Sequence, residues 1–298
     1  MSVIILTKPS DLEYETIKLM QSFIEHNISV RVCQFSNFDI VLNKGAFYKG
    51  SLIQLPKIVL VRLGAGISKK QLAILRYFEL NGVECINSST SINIAQDKFH
   101  TGEILSSNGV DIPATLIAKN AESNMLISNN IGFPCILKVL VGSFGEGIHL
   151  CNSQLEFKRM FNFISALDTS KTILAQEYIK DRPGEDLRVF VVDGKVLGAM
   201  KRTAPKGDFR ANISLGGTGE KYEVTPEIED IAIKAAHLLQ LDIAGIDLLF
   251  DKRGFRVCEA NSNPGFAGFE KYCGINVADA IVNFVERKLH ELEDNDVV

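Results

Sequence analysis

The first ninety residues alternate short apolar runs with stretches of helical periodicity, and this alternation restricts the fold more than any other feature. The runs typical of strands are residues 3–6 (VIIL), 28–35 (ISVRVCQF), 57–63 (KIVLVRL) and 83–88 (VECINS). Between them, residues 11–27 and 69–80 carry apolar side chains at helical spacing. Strands that alternate with helices predict a small open α/β layer of the doubly wound type. Its loop RLGAG (62–66) follows a strand end, where such sheets place ligands.

Composition narrows the classes of protein to which the chain can belong. Its 298 residues are enough for one large domain or two to three ordinary ones. The net charge of -4 shows no excess of basic residues of the kind that binds nucleic acid. No apolar run is long enough to span a membrane, and the start, MSVIILTKPSD, is typical of a first strand rather than a signal peptide. The six cysteines are scattered without a CxxC pair, which favours reduced thiols and a cytoplasmic location.

The rest of the chain combines further strands with hairpins. Residues 88–109 begin with capping residues and end at Gly109, which predicts one helix that bridges to the next domain. Strands are expected at 115–118, 135–140, 147–151 and 172–179, with a helix at about 153–167. Residues 187–200 predict a hairpin about the Asp193-Gly194 turn, and 245–261 predict another. Helices are expected at 226–241, after a starting proline, and at 275–292.

The hairpin at 245–261 carries a candidate metal site. If its turn is centred on Arg253, Asp247 faces Glu259 across the two strands, and Asn261 points to the same face as Glu259. Facing carboxylates repel each other unless a cation lies between them, and an oxygen-only set suits Mg²⁺ or Mn²⁺. The alternative is that both carboxylates face solvent. The strand around Asp247 is apolar on both faces, which predicts burial and favours the metal site.

Three further segments have a functional and a plain structural interpretation. Lys138 precedes a loop with Gly142, Ser143, Gly145 and Gly147 that would let backbone N–H groups approach phosphate, but a flexible hairpin without a ligand fits equally well. In residues 176–190, the backbone at a strand edge would bind adenine and a carboxylate would bind ribose. The alternative is that this segment is an ordinary charged connection between strands. Residues 200–217 combine several basic side chains with glycines. These side chains would bind phosphates and carboxylates, or the segment is a solvated loop without a ligand.

The order of these motifs resembles the ATP-grasp enzymes and, more closely, the RimK-like glutamate ligases. It runs from Lys98 in AQDKFHTGEIL through Lys138 before GSFGEG, QEYI (176–179), Asp186-Leu187-Arg188 and GDFRAN (207–212) to AGIDLL and CEANSNPGF. The resemblance covers nearly the whole chain. It implies α/β and α+β architecture, an ATP-grasp fold preceded by a doubly wound pre-ATP-grasp domain. The implied boundaries are 1–95 for that domain, 96–185 for a central lid subdomain and 186–298 for a C-terminal subdomain with the metal site.

The resemblance also implies roles for individual residues. Those expected to bind ATP are Lys98, Lys138, Gly142, Ser143, Gly145, Gly147, Glu177, Tyr178, Ile179, Asp186, Arg210 and Asn212. Two Mg²⁺ or Mn²⁺ ions would be held by Asp247, Glu259 and Asn261. Catalytic roles fall to Arg202 and Arg210, and substrate would contact Arg62, Asn212, Ser214, Gly216 and Asn263.

The implied activity is ATP-dependent ligation of an amino acid, L-glutamate, to an acceptor carboxylate through an acyl phosphate. The acceptor is a small molecule or a protein tail, and a homo-oligomer is possible within the family. The ISLGG form of residues 213–217 is closer to the animal branch that uses N-acetylaspartate or citrate than to the ribosomal-protein-modifying branch. The alternatives are an ATP-binding regulatory module without ligase activity and a dipeptide ligase with another amine donor.

Overall fold

The computed structural model of the chain describes residues 2–8, 14–64, 66–120, 123–140, 147–168 and 172–295. In chain order its strands are β1 (Val3–Thr7), β2 (Val30–Gln34), β3 (Phe38–Val41), β4 (Gly45–Tyr48), β5 (Ser51–Leu52), β6 (Ile58–Arg62), β7 (Glu84–Ile86), β8 (Thr115–Ala118), β9 (Cys135–Val139), β10 (Ile148–Cys151), β11 (Ile173–Glu177), β12 (Glu185–Val192), β13 (Lys195–Thr203), β14 (Thr218–Tyr222), β15 (Ile243–Asp251) and β16 (Gly254–Asn261). Its helices are α1 (Tyr14–Glu25), α2 (Lys69–Leu80), α3 (Ser89–Gln96), α4 (Lys98–Ser107), α5 (Asn124–Asn130), α6 (Gln154–Leu167), α7 (Pro226–Leu238), α8 (Ala267–Cys273) and α9 (Val277–Asn295). Within these parts of the chain, no helix combines the length and apolar character needed to cross a membrane.

The first sheet is parallel, in the order β2-β1-β6-β7, so the predicted doubly wound layer is confirmed. The first four residues of β1 are apolar and buried, because parallel strands are covered on both faces. Val3 and Ile5 lie in a core with α1, α9 and Phe190 of β12. Ile4 and Leu6 lie in the core on the opposite face, which includes residues of α2. The first sheet therefore shares one of its two cores with the C-terminal part of the chain.

A small antiparallel meander, β3-β4-β5, was not predicted from the sequence. Phe38 of β3 and Tyr48 of β4 lie opposite each other, with ring centroids 4.9 Å apart. Phe38 also meets Phe78 of α2 edge-on, at 5.6 Å. These aromatic contacts anchor the meander on α2, so tertiary packing supports strands that are only two to four residues long.

The expectation of one helix over 88–109 was wrong, because the chain forms two helices that meet at Asp97. Asp97 has an extended backbone, with φ -92° and ψ 100°. Its Oδ1 accepts hydrogen bonds from the backbone N–H groups of Phe99 at 3.0 Å and His100 at 2.9 Å. An aspartate that caps a new helix satisfies N–H groups which would otherwise lack a partner. The break makes Lys98 the first residue of α4.

The other two sheets are antiparallel and carry the predicted hairpins. The central sheet has the order β10-β9-β11-β8, and the large sheet has the order β14-β13-β12-β15-β16. Asp193 and Gly194, which join β12 to β13, have φ of 52° and 66°, as the predicted type I′ turn requires. In the large sheet, every pair of neighbouring strands is directly hydrogen-bonded, so residues on distant strands are brought into register.

Asn87, directly after β7, joins the parallel sheet to the large sheet. Its side chain is 1% exposed, and its Nδ2 donates to the backbone oxygens of Ile243 at 2.7 Å and Ser262 at 2.6 Å. Its Oδ1 accepts from the backbone N–H of Ile243 at 2.9 Å. One side-chain amide therefore satisfies the buried N–H and C=O groups of Ile243 at the start of β15 and the C=O group of Ser262 directly after β16.

We expect Asn87→Ala to lower the free energy of unfolding by about 3 kcal/mol, because it leaves buried peptide groups without partners. Urea unfolding followed by circular dichroism measures the loss. Asn130→Ala is the matched control, since the exposed Asn130 amide donates to a single helix carbonyl, that of Leu126. A change of about 0.5 kcal/mol or less is expected there. Equal effects in the two variants would contradict the role given to Asn87.

His26 links the end of α1 to α9 through two carboxylates. Its Nδ1 lies 2.9 Å from Glu286 Oε2 and its Nε2 lies 3.1 Å from Asp279 Oδ1. The hydrogen bonds with Glu286 and Asp279 raise the pKa of His26 above its usual value of 6.5, against the opposing effect of burial. A histidine with a raised pKa in the folded state stabilises the fold fully below its unfolded pKa. That contribution is lost as the pH rises through the folded pKa.

His26→Gln should therefore destabilise the protein more at pH 6 than at pH 9, because only the protonated imidazole is favoured between the two carboxylates. Urea unfolding of both proteins at the two pH values measures the difference. In an Asp279→Asn, Glu286→Gln background the same substitution should lose its pH dependence. A His26→Gln effect that is constant from pH 6 to pH 9 would refute the linkage.

Candidate active site

The hairpin of β15 and β16 brings Asp247 and Glu259 opposite each other, as predicted. The route to this register differs from the expected one. The turn leaves only Lys252 and Arg253 between the paired residues Asp251 and Gly254, and a bulge at Cys258 then shifts the pairing by one residue. Asn261, two residues after Glu259, has its Nδ2 3.5 Å from Asp247 Oδ2. The three residues expected to bind metal thus lie together.

Asp247 is the most deeply buried of this group, with 5% of its surface exposed. Arg188 binds its carboxylate with two N–H groups, the Nη2–Oδ2 distance being 2.8 Å. Arg202 Nη2 lies 3.0 Å from the same Oδ2. Burial acts to raise the pKa of Asp247, but the charges of Arg188 and Arg202 outweigh it and hold the pKa below its usual value. The carboxylate is therefore ionised at neutral pH.

Arg202 also forms a two-point ion pair with Asp186, directly across from it on β12. The Nε–Oδ1 and Nη2–Oδ2 distances are 2.6 and 2.7 Å. Burial raises the pKa of Asp186, and the charge of Arg202 offsets this only in part. Arg202 therefore lies between two carboxylates, in a chain of contacts that runs from Asp186 through Arg202 and Asp247 to Arg188. Arg188 was not among the expected site residues, although its position two residues after Asp186 places both on one face of β12.

Two lysines approach β16 from different elements. Lys138 of β9 is 7% exposed, and its Nζ lies 3.7 Å from the Sγ of Cys258. Lys98, at the start of α4, has its Nζ 3.6 Å from Glu259 Oε1. Burial raises the pKa of the Cys258 thiol, so Lys138 meets a neutral group there. Both lysines expected to contact phosphate therefore lie against β16, the strand that carries the candidate metal ligands Glu259 and Asn261.

The segment at the end of β11 contains the residues expected at adenine. The Glu177 carboxylate accepts from Arg256 Nη1 at 2.6 Å and from the backbone N–H of Ala114 at 3.2 Å. Arg256, which the sequence analysis missed, lies on β16 and also binds Asp251 at 2.9 Å. Tyr178 meets Phe209 edge-on at 6.3 Å, and Ile179 is buried. The Glu177 side chain is thus engaged with protein groups.

The loop over 204–217, between β13 and β14, contains three more of the predicted polar residues, Arg210, Asn212 and Ser214. Asp208 accepts from Arg210 Nη2 at 2.7 Å and from its backbone N–H at 2.9 Å. The hydrogen bonds from Arg210 lower the pKa of Asp208 to about 2. Asn212 precedes a 3₁₀ turn that contains Ser214, and Gly216 ends this turn with φ 90°, a conformation that favours glycine. The loop also contacts a residue outside it, since the backbone N–H of Ala204 donates to the backbone oxygen of Gly184 at 2.8 Å.

The N-terminal side contributes Arg62, at the end of β6. Its Nη2 donates to the backbone oxygen of Pro264 at 3.1 Å, and its guanidinium lies 5.5 Å from the centre of the Phe266 ring. Asn263 lies in the same loop after β16, next to a cavity of about 60 Å³. Gly142, Ser143 and Gly145 lie outside the described residues. Gly147 has φ 71°, and a Cβ there would be 3.2 Å from Val139 Cγ2, so a side chain would not fit without adjustment.

The arrangement provides an oxygen-rich pair of strands beside fixed positive charges. Among the described residues, no three His, Cys, Asp or Glu side chains come together as metal ligands, so the oxygen donors here are two carboxylates and the Asn261 amide. Hard divalent cations bind such donors. Arg188, Arg202 and Lys98 balance Asp186, Asp247 and Glu259. Such a set can bind a cation and an anionic group at neighbouring positions.

Comparison with known proteins identifies the family. Residues 95–285 match the model of the RimK-like ATP-grasp domain, and residues 1–92 match the RimK PreATP-grasp domain. A "Probable alpha-L-glutamate ligase 2" of Shewanella denitrificans is 35% identical over 295 residues, covering 97% of this chain and 96% of the relative. A "Probable alpha-L-glutamate ligase" of Methanococcoides burtonii is 33% identical over 291 residues and covers 96% of each chain.

Solved structures agree at the level of the fold. The ATP-grasp ligase PsnB, solved with a precursor variant, Mg and ADP, superimposes with a TM-score of 0.76 at 19% identity, covering 97% of this chain and 99% of PsnB. The D-alanine-D-alanine ligase of Coxiella burnetii gives 0.70 at 14% identity, covering 99% and 98%. These structures confirm the predicted fold class, and the family matches together with the relatives confirm the predicted enzyme class. From these matches, we conclude that the chain belongs to the RimK-like ATP-grasp family and is a ligase that forms C–N bonds.

Proposed function

We propose that this ligase joins L-glutamate to an acceptor carboxylate, consuming ATP and releasing ADP and phosphate. The observation that carries the proposal is the pairing of Asp247 with Glu259 beside Asn261, with Arg202 held against Asp247. Catalysis of phosphoryl transfer depends on stabilising charge more than on covalent chemistry by the protein, and this group of charged residues would stabilise that charge. The names of the relatives, alpha-L-glutamate ligases, support the choice of amino acid.

The residues present fit the divalent metal that accompanies ATP. Asp247, Glu259 and Asn261 offer only oxygen atoms on one face, the donor set that Mg²⁺ prefers. Mg and ADP are bound in PsnB, which supports magnesium here. A bound Mg²⁺ would offset negative charge on the β- and γ-phosphates. Arg188 and Arg202 would keep the Asp247 carboxylate ionised for this role, since they lower its pKa.

Nucleotide contacts follow from the strands around this face. Lys138 and Lys98 would bind phosphate oxygens, and the glycine loop that contains Gly142, Ser143 and Gly145 would cover them. Since the Glu177 carboxylate is engaged by Arg256, the backbone of Glu177 through Ile179 is the part left for adenine. Asp186 would accept from a ribose hydroxyl, because each oxygen of its carboxylate can accept a second hydrogen bond beside that from Arg202.

The reaction then needs two displacements and no nucleophile from the protein. An oxygen of the acceptor carboxylate attacks the γ-phosphorus, the bond to ADP breaks, and an acyl phosphate forms. The amine nitrogen of L-glutamate attacks the acyl carbon, the C–O bond to phosphate breaks, and the nitrogen releases its proton to the departing phosphate or solvent. Arg202 and Arg210 would offset the charge on the transferring phosphoryl group.

Substrate recognition is assigned to the surfaces around this centre. Carboxylates of the acceptor and of L-glutamate would contact Arg62, Arg210, Asn212, Ser214, Gly216 and Asn263. The relatives compared above are bacterial and archaeal, so the likeness of the ISLGG segment to the animal branch stays a prediction. We keep the three-part division at residues 95 and 185 as part of the proposal. The two family matches end at residue 92 and begin at residue 95, which supports a boundary close to residue 95.

Glu259→Gln should reduce glutamate-dependent ADP release by about 10²-fold or more, because it removes a charged metal ligand. The substitution leaves the buried Asp247 network intact. A coupled assay of ADP with L-glutamate, Mg²⁺ and either N-acetyl-L-aspartate or citrate measures the rate. Glu220→Gln is the matched control, since Glu220 is an exposed partner of Lys201. Full activity of Glu259→Gln, or ADP release that ignores the amino acid, would count against the ligase proposal.

Lys138→Met should weaken ADP binding by about tenfold or more, because it removes a buried cation expected at the phosphates. Calorimetric titration of ADP in the presence of Mg²⁺ measures the dissociation constant. Lys234→Met on the exposed face of α7 is the control and should bind ADP like the wild type. Unchanged affinity in Lys138→Met would remove Lys138 from the nucleotide site.

A further inference from the structure

A cavity of about 760 Å³, a size typical of ligand sites, follows the strand β10. Side chains of α6 and of the loop after β13 also line it, among them Arg159, Met160, Phe163, Phe209 and Arg210. From β10, residues 148–151 all contribute to the lining. Because successive residues of a strand point to opposite faces of the sheet, a cavity lined by consecutive residues lies along the edge of the strand. We refer to this cavity as the β10 groove.

The backbone of β10 has hydrogen-bonding groups that point into this edge. Among the strands that the structure describes, β9 is the partner of β10 on one side, and no strand pairs with its other side. The register places Gly147 opposite Val139, whose N–H donates to the Gly147 oxygen at 3.3 Å. In an antiparallel pair, such hydrogen-bonded positions alternate with positions whose N–H and C=O groups point away from the partner. The peptide groups of Ile148 and Leu150 therefore point away from β9 and can pair with a further strand.

α6 gives the β10 groove an apolar wall. Phe157 and Ile164 are buried against the central sheet, which fixes the orientation of the helix. Met160 and Phe163 lie on the flank of α6 that lines the groove, and Phe163 is 60% exposed although it is a large aromatic side chain. Proteins that bind an extended peptide by strand addition combine an unpaired strand edge with pockets for alternate side chains. The β10 groove has both features.

The charges along the groove favour an acidic occupant. Arg159 is exposed, and no carboxylate of the described segments forms an ion pair with it. The Glu156 carboxylate accepts from the backbone N–H of Asn152 at 2.7 Å and from its Nδ2 at 3.1 Å. Arg210 is paired with Asp208 at 2.7 Å. The positive charge of Arg159 is thus left unbalanced, and a carboxylate is the group that complements it.

We propose that the β10 groove binds an extended, acidic peptide segment of a partner protein, which adds to the central sheet as a further strand beside β10. The backbone of this segment bonds to the outward groups of Ile148 and Leu150. Its apolar side chains pack against Phe163, and an acidic side chain pairs with Arg159. Since Arg210 also lines the groove, the bound segment lies beside the loop assigned to substrate. The inference concerns binding and does not depend on the proposed ligation.

N-methylated peptides test the strand addition on the wild-type protein. The probe is a fluorescein-labelled peptide of eight residues in which Glu alternates with Val or Leu, and fluorescence anisotropy measures its dissociation constant. An added strand directs every second N–H towards β10. N-methylation of one alternating set of residues should therefore weaken binding by about tenfold or more, and N-methylation of the other set should have little effect.

A peptide with Lys in place of Glu is the charge control and should bind at least about tenfold more weakly. Absence of binding by the acidic peptide overturns the proposal. Equal effects of the two methylated sets overturn the strand addition, and equal binding of the Lys peptide overturns the acidic specificity. These arms use the unmodified protein, so none of them depends on the folding of a variant.

Two matched pairs of exposed residues on α6 test the groove itself. Arg159→Gln and Lys158→Gln remove one positive charge each from adjacent positions, and only the first changes a residue that lines the groove. Phe163→Gln and Leu155→Gln remove apolar side chains that are 60% and 55% exposed, and again only the first lies in the lining. Arg159→Gln should weaken binding of the acidic peptide about fivefold and Phe163→Gln about tenfold, with no change in the two controls. Groove variants that bind the peptide as tightly as their controls would refute the site.

An assay of ADP release separates this inference from the proposed function. If the peptide binds as expected and no glutamate-dependent ADP release occurs with any acceptor, the groove stands and the ligase proposal is wrong. If ADP release with L-glutamate and citrate is present and the acidic peptide does not bind, the ligase proposal stands and the groove is wrong.

Discussion

The side-chain carboxylate of Asp247 lies within a strand, between the fully buried residues Ile246 and Leu248. Its negative charge therefore has to be balanced inside the sheet. Arg188 provides that balance from the facing position on β12, and Arg202 completes it from β13. Breaking a buried ion pair by removing one partner costs about 3–5 kcal/mol. The register of three strands and the charge state of the site therefore depend on each other. A shift of one residue in any pairing would place these charges on the wrong face.

β16 is the meeting point of the parts of the molecule that form the site. Lys98 reaches it from α4, Lys138 from the central sheet, and Arg256 extends from it to Glu177 at the end of β11. Each contact joins a different element to the strand that carries the candidate metal ligands Glu259 and Asn261. This geometry suits a reaction in which nucleotide, metal and two substrates converge. The cavity beside Asn263 is also lined by residues that follow the N-terminal sheet, so this part of the chain adjoins β16 as well.

Local signals explain which parts of the fold were predictable. The Asp193-Gly194 turn follows from residues that tolerate positive φ, and the parallel strands follow from apolar runs covered on both faces. The facing of Asp247 and Glu259 was predicted, but the bulge at Cys258 that produces it was not, because no local residue preference announces a bulge there. The break at Asp97 was missed although aspartate favours the N-cap over the helix interior.

The sequence by itself indicated the family and determined the parallel strands, the two hairpins and the polar residues that alternate along β12 and β16, since these elements depend on local periodicity and residue type. Tertiary structure alone decided which charges meet. The pairing of Arg188 with Asp247, and of Arg256 with Glu177, joins residues 59 and 79 positions apart. Tertiary structure also placed Gln96 and Asn263, which are distant in the sequence, in the lining of one cavity. Such contacts depend on strand order and packing across the whole chain, and no local pattern encodes them.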